Sequence, residues 1–328
     1  MRTPVSDPQW IGPYAVVGRL GSGGMGWVYL ARSRQGQAVA VKVVRAEFAA
    51  DSQFRLRFAR EVAAARAVSG VYTAAVVDAD PDAPLPWLAT VYVPAPSLAE
   101  AVTASGPLPE AEVRRIGAGL VEALRAIHAA GVVHRDLKPS NVLLAHDRPR
   151  VIDFGVSRLD GSGQLTVAGS VLGTPPYMAP EQLTGKEVGP ACDVFALGGV
   201  LVFAATGRAP FGHGSGVMFR VVHDEPELDG VPQGLRGLVE RCLEKETDRR
   251  PTTEQVLREL APEPSLTTWS DPVARRIREH GEDLAGRQSA GAAKVSMGSC
   301  LLQHAQALLD AGLTDAMVRQ AVRRDRVG

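Results

Sequence analysis

Val132-Val133-His134-Arg135-Asp136-Leu137-Lys138-Pro139-Ser140-Asn141 is the stretch on which the fold turns. It brings an imidazole, a guanidinium, a carboxylate, an ammonium and an amide into one short segment. Farther along stand Val151-Ile152-Asp153-Phe154-Gly155 and Gly173-Thr174-Pro175-Pro176-Tyr177-Met178-Ala179-Pro180-Glu181. Taken singly, each has an ordinary reading. An Asp after an Arg is a solvated charge or a helix cap, and His134 is a packing and hydrogen-bonding element. Those readings do not hold jointly, because no structural requirement sets these residue types in this order.

Upstream, Leu20-Gly21-Ser22-Gly23-Gly24-Met25-Gly26-Trp27-Val28 contains Gly-x-Gly-x-x-Gly. Glycines let backbone amides approach phosphate oxygens closely, although three glycines also make an ordinary hairpin turn. A dinucleotide fold needs a helix directly after the glycines. Here Val28-Tyr29-Leu30 resumes a strand, which excludes it, and the Lys-Ser/Thr ending of a Walker loop is missing. Val39-Ala40-Val41-Lys42-Val43-Val44 then sets a lysine inside an apolar strand, where an unpartnered charge is costly. Lys42 either lies at a sheet edge and reaches solvent, or pairs with Glu61. Glu61 follows Phe58 on a helix expected from Asp51 to Val68, whose Phe54, Phe58, Val62 and Ala65 recur at helical spacing. Beside the glycine loop, the pairing suggests a phosphate-gripping ion pair.

The chain has 328 residues, a length that suits about two folding units. Lys plus Arg number 36 and Asp plus Glu number 36, which excludes a polycation built for nucleic acid and a polyanionic tail. Only five of the basic residues are lysines: Lys42, Lys138, Lys186, Lys245 and Lys294. Cys192, Cys242 and Cys300 are far apart and form neither a disulfide framework nor a zinc pattern, which suits a reducing cytosol. Met1 to Trp10 carries no apolar signal region. The apolar run Val194–Thr206 is shorter than the ~18–20 residues that cross a bilayer, so a buried core helix is expected there. The expectation is a cytoplasmic protein without a membrane span.

Strands are expected at Ala15–Val17, Val28–Leu30, Ala38–Val44, Ala74–Val77 and Trp87–Val93. From Ser97 the pattern turns helical, with Leu98–Thr103 and then Pro109–Ala130, stopped at Gly131. Helices resume to about Leu260, and Ala261-Pro262-Glu263-Pro264-Ser265 reads as a linker. The organisation is thus an N-terminal segment 1–13, a β-rich part 14–93, a helical part 94–261 and a tail 262–328.

Glycine loop, strand lysine, helix glutamate, His-Arg-Asp, Asp-Phe-Gly and Ala-Pro-Glu occur here in the order of the protein kinases. Over about residues 14–261 the chain resembles the eukaryotic-like Ser/Thr protein kinases of bacteria. The resemblance implies an α+β, two-lobed fold: a small antiparallel sheet lobe with one key helix, a larger helical lobe, and here a short helical C-terminal extension. It implies transfer of the γ-phosphate of ATP to Ser or Thr hydroxyls of protein substrates, with Mg²⁺ as the ion and Mn²⁺ as its alternative. Asp136 then orients the hydroxyl and accepts its proton, and Lys138 contacts the γ-phosphate. Asn141 and Asp153 hold the metal ion. Lys42 holds the α/β-phosphates and Glu61 keeps Lys42 in place. The nucleotide residues are Leu20, Gly21, Ser22, Gly23, Gly24, Met25, Gly26, Val28, Ala40, Lys42, Thr90, Val91 and Val93, with Val28 and Ala40 sandwiching the adenine and Thr90 to Val93 forming the back pocket and hinge.

The resemblance further implies an activation segment from Asp153 to Glu181, with Thr166 the first candidate for autophosphorylation and Ser170 the second. A phosphate there pairs with Arg135, and a homodimer is one route to phosphorylation in trans. Thr174 fits the Ser/Thr group, where it hydrogen-bonds near Asp136 and Lys138. Glu181 with Arg250, and Asp193, are implied as scaffold. In the tail, Asp271-Pro272 starts a helix over Val273–His280, and helices follow around Leu301–Leu309 and Thr314–Val322. They are expected to pack on the kinase or a partner rather than bind DNA. Two other functions compete with this one: a nucleotide-binding scaffold with little transfer, and a small-molecule phosphotransferase, which would lack the Gly-Thr…Ala-Pro-Glu segment.

Overall fold

The computed structural model describes residues 7–24, 26–68, 71–153, 166–167, 170–171, 175–260, 268–282 and 286. The first lobe is a six-stranded antiparallel sheet in the order β1-β2-β3-β4-β6-β5. Its strands are β1 (Trp10–Ile11), β2 (Tyr14–Ser22), β3 (Gly26–Arg32), β4 (Ala38–Val44), β5 (Val76–Asp80) and β6 (Trp87–Val91). A short α1 (Ala46–Ala49) and the longer α2 (Ser52–Ala67) are inserted after β4. Asp51 caps α2, its carboxylate accepting from Gln53 N at 2.8 Å. The residues expected to face the core, Phe54, Phe58, Val62 and Ala65, are all buried.

Register divides this sheet into two working faces. Val28 pairs with Lys42, Leu30 with Ala40, Lys42 with Leu88 and Ala40 with Thr90. These even-numbered residues share one side, because side chains alternate along a strand, and on that side Val44 and Leu88 pack with Phe54, Phe58 and Val62 of α2. Tyr29, Ala31, Val39, Val41, Val43, Trp87 and Ala89 form a separate apolar cluster on the other side, closed by Ile11 and Tyr14.

Two strand ends depart from expectation. Ala74 N donates to Val151 O at 3.2 Å and Thr73 bridges Val151, so residues 73–74 belong to an inter-lobe contact and β5 starts at Val76. β6 ends at Val91, opposite Val39 and one residue short of the start of β4, and residues 92–97 become the connection to the second lobe.

The helical lobe contains α3 (Leu98–Ser105) and α4 (Glu110–Ala129), then a 3₁₀ turn at Pro139–Asn141 and the hairpin β7 (Val142–Leu144)/β8 (Pro149–Val151). A second, small hairpin pairs β9 (Thr166–Val167) with β10 (Ser170–Val171). The lobe continues with α5 (Pro180–Thr184), α6 (Ala191–Thr206), α7 (Val217–His223), α8 (Gln233–Cys242) and α9 (Thr253–Leu260). Ser97 opens α3 with a reciprocal cap: Glu100 N donates to Ser97 Oγ at 3.2 Å and Ser97 N to Glu100 Oε2 at 2.7 Å. α6 is the expected core helix, buried on nearly every side, as an all-round apolar helix must be. No helix among the described residues is long and apolar enough to cross a membrane.

The chain returns to this lobe after α9. Trp269 is buried and its Nε1 donates to Ala145 O at 2.7 Å, while the Arg115 guanidinium lies 4.0 Å from the ring centroid. Glu112 of α4 accepts from Ser270 N through Oε1, capping α10 (271–282) at the expected Asp271-Pro272 start. Val273 and Ile277 enter the same core as α4 and α6, so the packed lobe runs past the linker at 261–265. That linker and the tail beyond 286, including the helices expected around 301–309 and 314–322, lie outside the described residues.

Candidate active site

The cleft side of the helical lobe carries the stretch first quoted. Lys138 Nζ donates to Asp136 Oδ2 at 2.7 Å. Asn141 Nδ2 donates to Asp136 O at 2.9 Å and approaches Oδ2 at 3.4 Å. Both side chains act on one carboxylate oxygen, and among the described residues Oδ1 keeps its lone pairs. Because the amide nitrogen of Asn141 is committed, its Oδ1 is turned away from Asp136 and is free to ligate. Ile152 N donates to Asn141 O at 3.0 Å, which ties the residue before Asp153 to the 3₁₀ turn at Pro139–Asn141.

Two non-glycine residues among those described have left-handed backbones: Arg135 (φ 65) and Asp153 (φ 59). Such conformations cost roughly 1–3 kcal/mol each and persist only where neighbours impose them. At Arg135 the constraint is visible. Fully buried Asp193, on α6, accepts from His134 N and Arg135 N at 2.8 Å each and bonds His128 Nε2 at 2.7 Å. Burial alone would raise its carboxyl, but the hydrogen bonds from His128 and the Arg135 amide outweigh that and hold it below the usual range. On the other side of the same residue, Gln182 Nε2 donates to Arg135 O at 3.0 Å while its Oε1 accepts from Ala179 N at 2.9 Å. His134 is fully buried and burial pushes its imidazole down. Asp136 N donates to its Nδ1 at 3.3 Å, so it is a neutral packing element, as its sequence context suggests.

Opposite, the even face of the sheet brings Val28, Ala40, Lys42 and Thr90 together above this loop. Val91 closes β6, and Val93 lies in the connection between lobes. Lys42 Nζ lies 3.5 Å from Asp153 Oδ1, a salt bridge from the sheet to the first residue of the expected activation segment, and Glu61 holds a half-buried place on α2 next to Val62. Gly26 is required by close approach: a Cβ there would stand 2.0 Å from Val43 O. A Cβ on Gly21 or Gly23 would meet nothing within 4 Å, so the backbone of the loop is open to a ligand. Gly23 N donates to Gly26 O at 2.9 Å, closing the turn. Leu20 is exposed, as are Ser22 and Gly24. Met25, Phe154, Gly155 and Thr174 lie outside the described residues, and Thr166 and Ser170 are described by backbone alone.

The segment after the activation loop is braced from below. Arg250 donates from Nη1 to Glu181 Oε1 at 2.7 Å and from Nη2 to Glu181 Oε2 at 2.8 Å, with both side chains almost wholly buried. Three carbonyls, Glu244 O, Ala191 O and Lys245 O, take the remaining donors. A bidentate pair of this kind tolerates burial because every proton has a partner.

An antiparallel sheet lobe over a helical lobe, with Lys42 facing Asp153 and an Asp-Lys-Asn cluster across the cleft, defines a kinase-type phosphotransferase fold. The protein kinase domain family matches residues 14–260, and the chain belongs to it. Within the family it stands with the eukaryotic-like Ser/Thr kinases of bacteria. It is 53% identical over 282 residues to the probable serine/threonine-protein kinase PkwA of Thermomonospora curvata, covering 85% of this chain and 37% of that protein. It is 56% identical over 260 residues to the serine/threonine-protein kinase AfsK of Streptomyces coelicolor, covering 78% of this chain and 32% of that protein. The crystal structure of the Mycobacterium tuberculosis PknI kinase domain superposes with a TM-score of 0.63 at 26% identity, covering 77% of this chain and 96% of that one. The chain thus spans about a third of the length of PkwA and AfsK.

His128, Gln182 and Arg45 were not singled out from sequence. Their partners lie far along the chain, at Asp193, Arg135 and Gly23, and no local pattern announces such pairs.

Proposed function

We propose that this chain transfers the γ-phosphate of ATP to Ser and Thr hydroxyls of protein substrates. The observation that carries the proposal is the Asp136 carboxylate, gripped on one oxygen by Lys138 and Asn141 with the other left to accept. The substrate hydroxyl oxygen attacks the γ-phosphorus, the bond to the β-phosphate oxygen breaks, and ADP leaves with that oxygen. The hydroxyl proton passes to Asp136 Oδ1. Lys138 balances the charge that builds on the γ-phosphoryl oxygens. Lys42 binds the α/β-phosphates and is steadied by Glu61, which α2 carries on the same side of the sheet.

The adenine lies between Val28 and Ala40, with Leu20, Thr90, Val91 and Val93 around it, and Gly21, Ser22, Gly23, Gly24, Met25 and Gly26 cover the phosphates. Asn141 Oδ1 and the Asp153 carboxylate are the hard oxygen donors that Mg²⁺ or Mn²⁺ prefers, and the bonding of Asn141 Nδ2 to Asp136 O supports that role. The ion supplies charge neutralisation on the phosphates when bound. Thr166 is the first candidate for autophosphorylation and Ser170 the second. A phosphate on either is a partner for Arg135, and a homodimer of the chain would deliver it in trans. The setting is the bacterial cytoplasm, with protein substrates and no nucleic acid.

The test is incubation with labelled ATP and Mg²⁺ beside Asp136→Asn and Lys42→Met, followed by mapping of labelled sites. Expected is transfer by the wild type to Ser and Thr, lowered at least ~10²-fold in Asp136→Asn, with ADP still bound. Wild type no faster than the variants would overturn the assignment in favour of a nucleotide-binding scaffold, and label confined to tyrosine would overturn the Ser/Thr specificity.

A further inference from the structure

Arg45 stands just beyond β4, three residues after Lys42, and the chemistry above gives it no role. Its Nη2 donates to Gly23 O at 3.0 Å. Its guanidinium lies 5.4 Å from the centroid of Trp27, and its Nη1 is 3.7 Å from Glu47 Oε1 on α1. Nε is buried without a partner among the described residues. One guanidinium is therefore held by a ring, a carboxylate and the carbonyl of a glycine-loop residue.

Which way this turns the loop follows from register. Trp27 pairs with Val43 and packs against the apolar cluster on the odd face, the side opposite Lys42. The Gly23 carbonyl, drawn to an arginine over Trp27, is pulled toward that odd face. A trans peptide is planar with its C=O and N–H antiparallel, so the N–H of Gly24 is directed the other way, to the face that carries Lys42. Gly23 N–H is already spent inside the turn on Gly26 O and cannot serve a ligand.

We propose that Arg45, braced by Trp27, is a positioning residue that fixes the Gly23–Gly24 peptide so that the Gly24 amide faces the terminal phosphates of the bound nucleotide. The proposal rests on the cleft being the ATP site. As a surface ion pair with Glu47 alone, Arg45 would contribute little; the contact with Gly23 O is what gives it leverage on the loop.

The test compares binding of adenosine and of a non-hydrolysable ATP analogue with Mg²⁺, by calorimetry, in wild type, Arg45→Met, Arg45→Lys and Trp27→Leu. Loss of one charge-assisted hydrogen bond should weaken the triphosphate about five- to tenfold in Arg45→Met, with adenosine unchanged within about twofold. Arg45→Lys should recover part of the loss. Trp27→Leu keeps the charge but removes the brace, and should show the same phosphate-selective loss, smaller. In turnover, KM for ATP should rise with kcat nearly constant. Equal weakening of adenosine and triphosphate would mean a merely structural role and overturn the proposal. So would an unaffected Trp27→Leu beside a weakened Arg45→Met, which would leave only a field effect. Wild type that binds adenosine but gains nothing from the phosphates would overturn the latch, whereas wild type that binds neither would remove the ATP-site assignment itself.

Discussion

Two loops face each other across the cleft, and they are held in opposite ways. The loop from His134 to Asn141 is pinned from behind by Asp193, a carboxylate with no solvent exposure that takes two backbone amides and an imidazole. The glycine loop is held at its tip by one arginine fork that is itself partly exposed. Buried charge-assisted bonds act in a low-dielectric surround and fix geometry firmly, while an exposed one sets an orientation that thermal motion can still relax. The contrast fits the proposed tasks: a side that positions a reacting oxygen must not yield, and a side that covers a nucleotide must let it in and out.

The strongest way to break the contrast is to remove the pin. Asp193→Ala strands two buried N–H groups, each costing about 1–3 kcal/mol, and should lower Tm by about 10 °C for a lobe of this size. Asp193→Asn, which keeps an acceptor, should fall between. A melting curve for Asp193→Ala that overlays the wild type would refute the pinning.

Next in size is the tail. Trp269→Ala should cost about 3–5 kcal/mol by opening a cavity and freeing Ala145 O, one residue past β7 and so four past Asn141. Urea denaturation reads this directly, and Trp269→Phe should recover most of it.

The glycine loop itself offers a paired test. Gly26→Ala forces backbone apart and should cost about 1–3 kcal/mol. Gly21→Ala, with empty space around its added carbon, should leave Tm within about 2 °C, an effect of under ~0.5 kcal/mol, yet raise KM for ATP. If both behave alike in melting and in kinetics, the division of that motif into a packing glycine and access glycines is wrong.

A pH dependence, reduced by solvent screening at a half-exposed site, closes the series. Lys245 is half buried among Phe211, Val221 O, Asp224, Glu225, Glu244 and Arg250, and burial lowers its pKa from 10.5 to about 8. Between pH 8 and 10.5 the unfolded chain binds more protons at this site than the folded one, so its contribution to stability rises with pH across that window. The difference in Tm, wild type minus Lys245→Met, should therefore grow from pH 7.5 to 10; a flat difference would count against the shift.

Much of this was legible in the sequence, for physical reasons. Phe54, Phe58, Val62 and Ala65 announced α2 because a 3.6-residue period is local information, and α6 announced itself by being apolar all round. The contacts of Lys42 with Asp153 and of Arg45 with Gly23 were not legible, since they depend on how two segments meet in space. The shift of β5 from Ala74 to Val76 belongs to the same class: residues 73–74 are claimed by Val151, across the lobes.

The return of the chain to the helical lobe after α9 bears on modular exchange. The family match stops at residue 260, yet Val273 and Ile277 fill the core of the lobe that the match defines. A graft cut at 260 would transplant an open seam lined by Glu112, Arg115 and the Ala145 carbonyl, whereas one cut past 282 carries its own clasp.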